Sequence, residues 1–237
     1  MGIKERQERD REAVRRAILD AARELFVTEG FQHVSIRKIA ERIEYSPAAI
    51  YSYFPSKDDI FFALAEEGFR LLGNPADALE QLKDEPPLER LRQVFWRMYE
   101  FSLDHPQYFA LMFMERSVPK ISREYERFAF MRSRKQELVG LVEACMASGE
   151  LPTATPASAV FRVLTAGLLG IATLRLSERL APGENADDLA RDVLTVTIAG
   201  LRTGVQLRST GVIPCPADDI DTHVHSPQTL TSAVQES

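Results

Sequence analysis

Residues 35–57 read SIRKIAERIEYSPAAIYSYFPSK, and the reading of this stretch decides the fold. Ser35 is placed to cap a helix with its hydroxyl. Ile36, Ile39, Ala40 and Ile43 recur at helical spacing on one face, leaving Arg37, Lys38, Glu41 and Arg42 on the other. Ser46 starts a second helix whose first position is Pro47, where a missing N–H costs nothing and the fixed φ already suits a helix. Between the two elements stand Glu44 and Tyr45. So short a connection makes the helices cross steeply, as in a helix-turn-helix.

The second helix carries a face with no obvious use in a core. Ala48, Ala49 and Ser52 are small enough to let the chain approach base edges, with Arg37 beside them, while Tyr51 and Tyr53 carry hydroxyls suited to phosphates. Ser56 and Asp59 stand at capping-box spacing and open a further helix with Lys57 in its first turn. A lysine there opposes the helix dipole, a cost that an arriving phosphate would offset. The candidate DNA-contacting set is Ser35, Arg37, Ser46, Pro47, Ala48, Ala49, Tyr51, Ser52, Tyr53 and Lys57.

Here the chain resembles the tetracycline-repressor (TetR) family of bacterial transcription factors. The resemblance begins with Val14, Ala17, Ile18, Ala21, Ala22, Leu25 and Phe26 on a first helix and continues through Thr28-Glu29-Gly30-Phe31 and Ser35-Ile36-Arg37. It ends with Ile50-Tyr51-Ser52-Tyr53-Phe54-Pro55-Ser56-Lys57-Asp58. Two positions depart from the pattern, Glu44 in the turn and Ala48 early in the second helix, where the family commonly has glycine. A positive φ at Glu44 would be modestly strained. The resemblance implies a DNA-binding regulator that dimerises through its last two helices and answers to a small molecule.

Length and composition agree. The chain has 237 residues, 45 % of them hydrophobic, and long helical periodicities interrupted by Pro and Gly, which predict an all-α protein. Three regions are expected: a helix-turn-helix domain over 1–60, a helical ligand-binding and dimerisation domain over 61–208, and a mobile tail over 209–237. The net charge of −6 lies entirely beyond residue 60, since residues 1–60 carry eleven basic and eleven acidic side chains. From Phe31 to Lys57 four basic residues face two acidic ones. The DNA-reading face is thus locally basic and the body acidic.

The amino terminus has no apolar core of the kind a signal peptide needs, so a cytoplasmic protein is expected. Its mixed charges predict a solvated arm, with Arg6, Arg9 or Arg11 reaching into a minor groove as the alternative. Cys145 reads as core and Cys215 as a tail thiol. His223 and His225 make no metal site, and no cofactor is called for. Four histidines, two distant cysteines and no phosphate loop or nucleophile elbow offer nothing from which to assemble an enzyme.

Beyond residue 60 helices are predicted over Lys57–Leu72, Ala76–Lys83, from Pro87 to about Asp104, from Pro106 onward, over Ser122–Ser148, over Pro156–Glu178 and over Ala186–Arg208. Most of their aromatics must form core. Trp96, Tyr99, Met112, Phe113, Phe128, Phe161 and Thr165 combine bulky apolar walls with a few hydroxyls and are the candidate wall of a pocket for a neutral apolar or aromatic effector. Val163–Leu174 is apolar nearly all round, and is read as too short to span a bilayer and bracketed by Arg162 and Arg175. Ala166, Gly167, Gly170, Thr197, Gly200 and Leu201 are the candidate contacts of a four-helix homodimer interface, with closure of the domain on itself as the alternative. The reading is therefore a repressor, binding a palindromic operator as a homodimer. A constitutive DNA binder without an effector, or a helical scaffold, are the alternatives.

Overall fold

Helix α1 (Ile3–Glu29) begins where a solvated arm was expected: in the computed structural model, which describes residues 2–119, 129–205 and 207, the mixed charges of the amino terminus already form regular helix. Its residues from Lys4 to Ala13 are exposed, and the Glu5 carboxylate accepts the Gly2 N–H at 3.0 Å. From Ile18 onward it buries Ile18, Leu19, Ala22, Leu25 and Phe26, and it stops at Gly30, whose φ of 84° no β-carbon opposes.

A single turn at Phe31–His33 leads to α2 (Ile36–Arg42) and α3 (Pro47–Tyr51). The next helix, α4 (Lys57–Leu71), is followed by α5 (Pro75–Gln81), α6 (Pro87–Asp104) and α7 (Pro106–Phe109), the last continuing into a π-helical turn at Ala110–Met114. Pro75, Pro87 and Pro106 each stand at a first helical position, where proline starts a helix without losing a bond. The remaining helices are α8 (Ala129–Ala147), α9 (Ala157–Leu176) and α10 (Ala186–Arg202). Among the described residues all regular structure is helical.

Several expected boundaries move. Helix α10 ends at Arg202, because Thr203 and Gly204, the latter at φ 79°, turn the chain before Arg208. The boundary expected at residue 60 falls inside α4, and one continuous buried cluster runs from Ile18 in α1 through Ile60 and Leu64 in α4 to Leu201 in α10. The expected start of α8 at Ser122, Phe128, and the tail with Cys215, His223 and His225 lie outside the described residues.

The 20-residue α9, with a mean hydropathy of 1.7, is long and apolar enough by itself to cross a bilayer, so the argument from length does not hold. What anchors it in the protein is its inner face. Leu164, Leu168, Ile171 and Ala172 are buried, and Arg175 hydrogen-bonds the Ser102 carbonyl at 2.5 Å near the end of α6.

Candidate nucleic-acid interface

The turn between α2 and α3 is built by backbone geometry. Glu44 has φ 59°, the Tyr45 N–H donates to the Ala40 carbonyl at 2.9 Å, and the Glu44 N–H donates to Glu41 at 3.3 Å. This pair of bonds is a Schellman motif, which uses two carbonyls left over at the helix end. The strain anticipated at Glu44 is therefore present. On the far side of the turn Ser46 Oγ accepts the Ala49 N–H at 3.2 Å, and Ser35 Oγ caps α2 by accepting the Lys38 N–H at 3.2 Å. Ser35 and Ser46 thus act first as caps, keeping their hydroxyl hydrogens for another partner.

Helix α3 is pinned from behind by Ile50 and Phe54, at 0 and 5 % exposure, which leaves Ala48, Tyr51 and Ser52 outward. Tyr51 is 54 % exposed, the Ser52 hydroxyl donates to the Ala49 carbonyl at 2.6 Å, and Ala49 is half-buried. Tyr53 is also half-buried and packs on the core, with the Arg11 guanidinium 5.9 Å from its ring centroid; Arg15 lies 5.4 Å from that of Phe54. The amino-terminal part of α1 is in this way tied to the end of the recognition helix.

Lys57 is engaged within the chain. Its ammonium donates to the carbonyls of Phe31 at 2.6 Å and Val34 at 2.9 Å and lies 4.2 Å from the Phe31 ring centroid. Burial pushes its pKa below the ordinary lysine value, with Asp58 opposing. The ammonium thus reaches back across the α1–α2 connection and joins α4 to the helix-turn-helix. The other cations of the segment are also paired, Arg37 with Glu41 at 2.9 Å, Lys38 with Glu29, and Arg42 with Glu24 at 2.5 Å. With Arg37 80 % exposed and Glu41 61 % exposed, that pair is weak and leaves the guanidinium free to re-aim.

Behind the reading head, a polar cluster that sequence reasoning missed joins α1 to the rest. Arg16 holds Asp20 at 2.5 Å and also Glu67 of α4, while Arg23 donates to Tyr108 Oη at 2.9 Å and to Gln107 at 3.0 Å on α7. The bond from Arg16, against the upward push of burial, holds the Asp20 carboxyl below the usual range, with the charges of Arg16 and Arg23 adding to it. Arg16, Asp20 and Arg23 stand at helical spacing on one face of α1, but nothing in the sequence indicated partners 51 and 85 positions away.

The expected effector residues are dispersed. Tyr99 is fully buried and donates to Asp187 Oδ1 at 2.7 Å, tying α6 to the first turn of α10. Phe161 meets Phe95 with ring centroids 6.1 Å apart, and Thr165, one turn farther along α9, has a buried hydroxyl with no hydrogen-bond partner among the described residues. Phe113 packs on Phe69 and Phe109, and Met112 fills the space that the missing side chain of Gly68 leaves on α4. Trp96 lines a recess of about 450 Å³ between α6 and α10 that includes none of the other six, and three arginines line it, contrary to the expected scarcity of basic groups.

The expected dimer contacts also divide. A β-carbon at Gly167 would stand 2.8 Å from Val193 Cγ1 of the same chain, and Leu201 is 4 % exposed within the chain's own core. These two close the chain on itself. Ala166 and Gly170 face outward on α9, beside half-buried Leu169 and Thr173; on α10, Thr197 and Gly200 are half-buried and Val196 is 69 % exposed. Cys145 is fully buried, as expected of a core thiol, and burial pushes its pKa up to about 12.

Two sequence families match this chain, described as bacterial regulatory proteins of the tetR family over residues 18–64 and as the tetracyclin repressor-like C-terminal domain over residues 91–197. Together they span more than half of it. Among similar proteins, the HTH-type transcriptional regulator RutR of Escherichia coli O157:H7 is 27 % identical over 64 % of this chain and 70 % of its own. The HTH-type transcriptional repressor Rv1474c of Mycobacterium tuberculosis is 44 % identical over 23 % of this chain and 29 % of its own. In fold, the transcriptional regulator FadR of Bacillus subtilis, solved in complex with stearoyl-CoA, has a TM-score of 0.63 at 18 % identity, covering 78 % of this chain and 97 % of its own.

Proposed function

The chain belongs to the TetR family of bacterial transcriptional regulators, and from that membership we propose that it is a cytoplasmic repressor that holds a palindromic operator as a homodimer and answers to an apolar or aromatic small molecule. The observation that carries the DNA half is the exposed edge of α3, where Ala48, Tyr51 and Ser52 face outward from a rigid back of Ile50 and Phe54. Ala48, Ala49, Ser52 and Arg37 approach base edges. Tyr51, and Tyr53 through its hydroxyl, position the unit on phosphates. Selection from a random duplex library, followed by fluorescence anisotropy on the recovered sequence, tests this. An inverted repeat should emerge; recovery of no preferred sequence overturns the reading.

Dimerisation is supported by the outward apolar strip on α9 and α10, which no other described residue covers. A copy of the same strip is its natural partner, and the contact would hold two recognition helices about 34 to 36 Å apart, or farther by whole turns. For the effector, the support is Thr165: a buried hydroxyl without a partner among the described residues costs stability that a ligand acceptor or a water would return. FadR held stearoyl-CoA in its crystal, so a domain of this architecture accommodates a long apolar chain. A tenfold change in operator affinity needs a coupling of only about 1.4 kcal/mol. Calorimetric screening of apolar compounds with and without operator decides it. A set of binders indifferent to DNA would leave a constitutive regulator.

A further inference from the structure

The recess between α6 and α10 has a chemistry of its own. Arg92, Arg97 and Arg191 line it together with Trp96, Glu100 and Thr195, and its volume of about 450 Å³ lies in the range of small-molecule sites. Three arginines therefore line the recess with one carboxylate, on a chain whose net charge is −6.

Their donors are poorly used. Arg92 has Glu89 at 3.7 Å and the Thr195 hydroxyl at 3.4 Å, both at the limit of useful contact. Arg97 donates to the neutral amide oxygen of Gln81 at 3.2 Å, and among the described residues no carboxylate lies within ion-pair distance of it. Arg191 has Asp188 at 3.8 Å, with the two side chains 64 and 69 % exposed. Ion pairs so long and so wet contribute little and yield readily to a better partner.

Trp96 is held differently. Its Nε1–H donates to Glu100 Oε1 at 2.9 Å and its ring centroid is 5.1 Å from that of Tyr99, so the indole is fixed as a platform. The Arg191 guanidinium lies 5.1 Å from the Trp96 ring centroid. A planar ring can stack at this place, on the indole or on the guanidinium plane, while an anionic substituent takes the unfilled N–H forks of Arg97 and Arg191.

We propose that this recess binds a small organic anion built on a planar aromatic ring, with Trp96 as the stacking surface and Arg97 and Arg191 as the anion clamp. The site spans α6 and α10 at the outer surface. It requires neither the dimer nor the operator, and it is separate from the interior effector region around Thr165.

The chain has one tryptophan, so Trp96 emission reports on the site directly. Benzoate and adenosine 5′-monophosphate serve as anionic probes, benzamide and adenosine as their uncharged counterparts, and inorganic phosphate as the anion without a ring. Titrations of the full chain are followed by Trp96 emission and repeated by calorimetry. At least one of the two anionic probes should bind and change the emission, and which one does so distinguishes a carboxylate from a phosphate ligand. Its uncharged counterpart and phosphate alone should bind at least tenfold more weakly. Arg97→Gln and Arg191→Gln should each weaken binding by about tenfold or more, as loss of a charge-assisted hydrogen bond implies. Glu100→Gln, which keeps an acceptor for the indole N–H while removing the opposing charge, should tighten binding, a change that a folding defect cannot mimic. Unchanged emission with both anions at millimolar concentration, equal affinity for the uncharged counterparts, or arginine variants of wild-type affinity and fold would each overturn the site.

Discussion

At Lys57 and Glu44 single side chains settle how the reading head is held. The Lys57 ammonium bridges two carbonyls of the α1–α2 connection, so Lys57→Ala should cost about 1.5 to 3 kcal/mol in urea unfolding, the range for hydrogen bonds to a charged group. The slope of log affinity against log salt on duplex DNA should stay as it was. A slope lower by about one unit at unchanged stability would return Lys57 to the phosphate contacts. At Glu44 a side chain sits in the left-handed region, at a cost of roughly 1 kcal/mol that glycine would not incur. Glu44→Gly should therefore raise the thermal midpoint by several degrees, measurable by circular dichroism. No gain would mean that the Glu44 side chain has compensating contacts.

Among the elements, the junction of α1, α4 and α7 connects the reading head to the body. Asp20 on α1, paired with Arg16 and Arg23, is its titratable centre. Because its folded pKa lies below the unfolded carboxylate value of about 4, the stabilisation is fully present above that value and is lost as pH falls through the folded pKa. Thermal midpoints of the wild type should thus exceed those of Asp20→Asn near neutral pH, and the gap should shrink below about pH 4. A gap independent of pH would show that shape, and not charge, makes the contact. Met112, in the π-helical turn that follows α7, packs into the notch at Gly68 of α4 beside this junction.

For the whole molecule, Val196 discriminates between an open surface and an interface. It is 69 % exposed in the single chain, so Val196→Glu should be nearly neutral for a monomer, as surface substitutions usually are. In a dimer built on this strip it places two carboxylates in an apolar seam. We expect sedimentation velocity to show wild-type dimers and Val196→Glu monomers at micromolar concentration, with operator affinity falling in step. A dimeric Val196→Glu protein would move the interface elsewhere.

The sequence by itself determined the local structure of this protein: the caps at Ser35, Ser46 and Ser56, the prolines that start helices, the turn through Glu44 and the apolar faces of α2, α4, α6 and α9. Those signals act over a few residues, where hydrogen-bond satisfaction and helical spacing leave few alternatives. The tertiary structure alone decided that Lys57 points back at Phe31 and Val34, that Gly167 makes room for Val193 of its own chain, that Arg16 and Arg23 meet Glu67 and Tyr108, and that Arg97 and Arg191 share a recess with Trp96. Each of these joins residues more than twenty positions apart. Helical periodicity says which face of a helix is apolar, but the partner of that face depends on how the helices pack, and packing is set by the whole core.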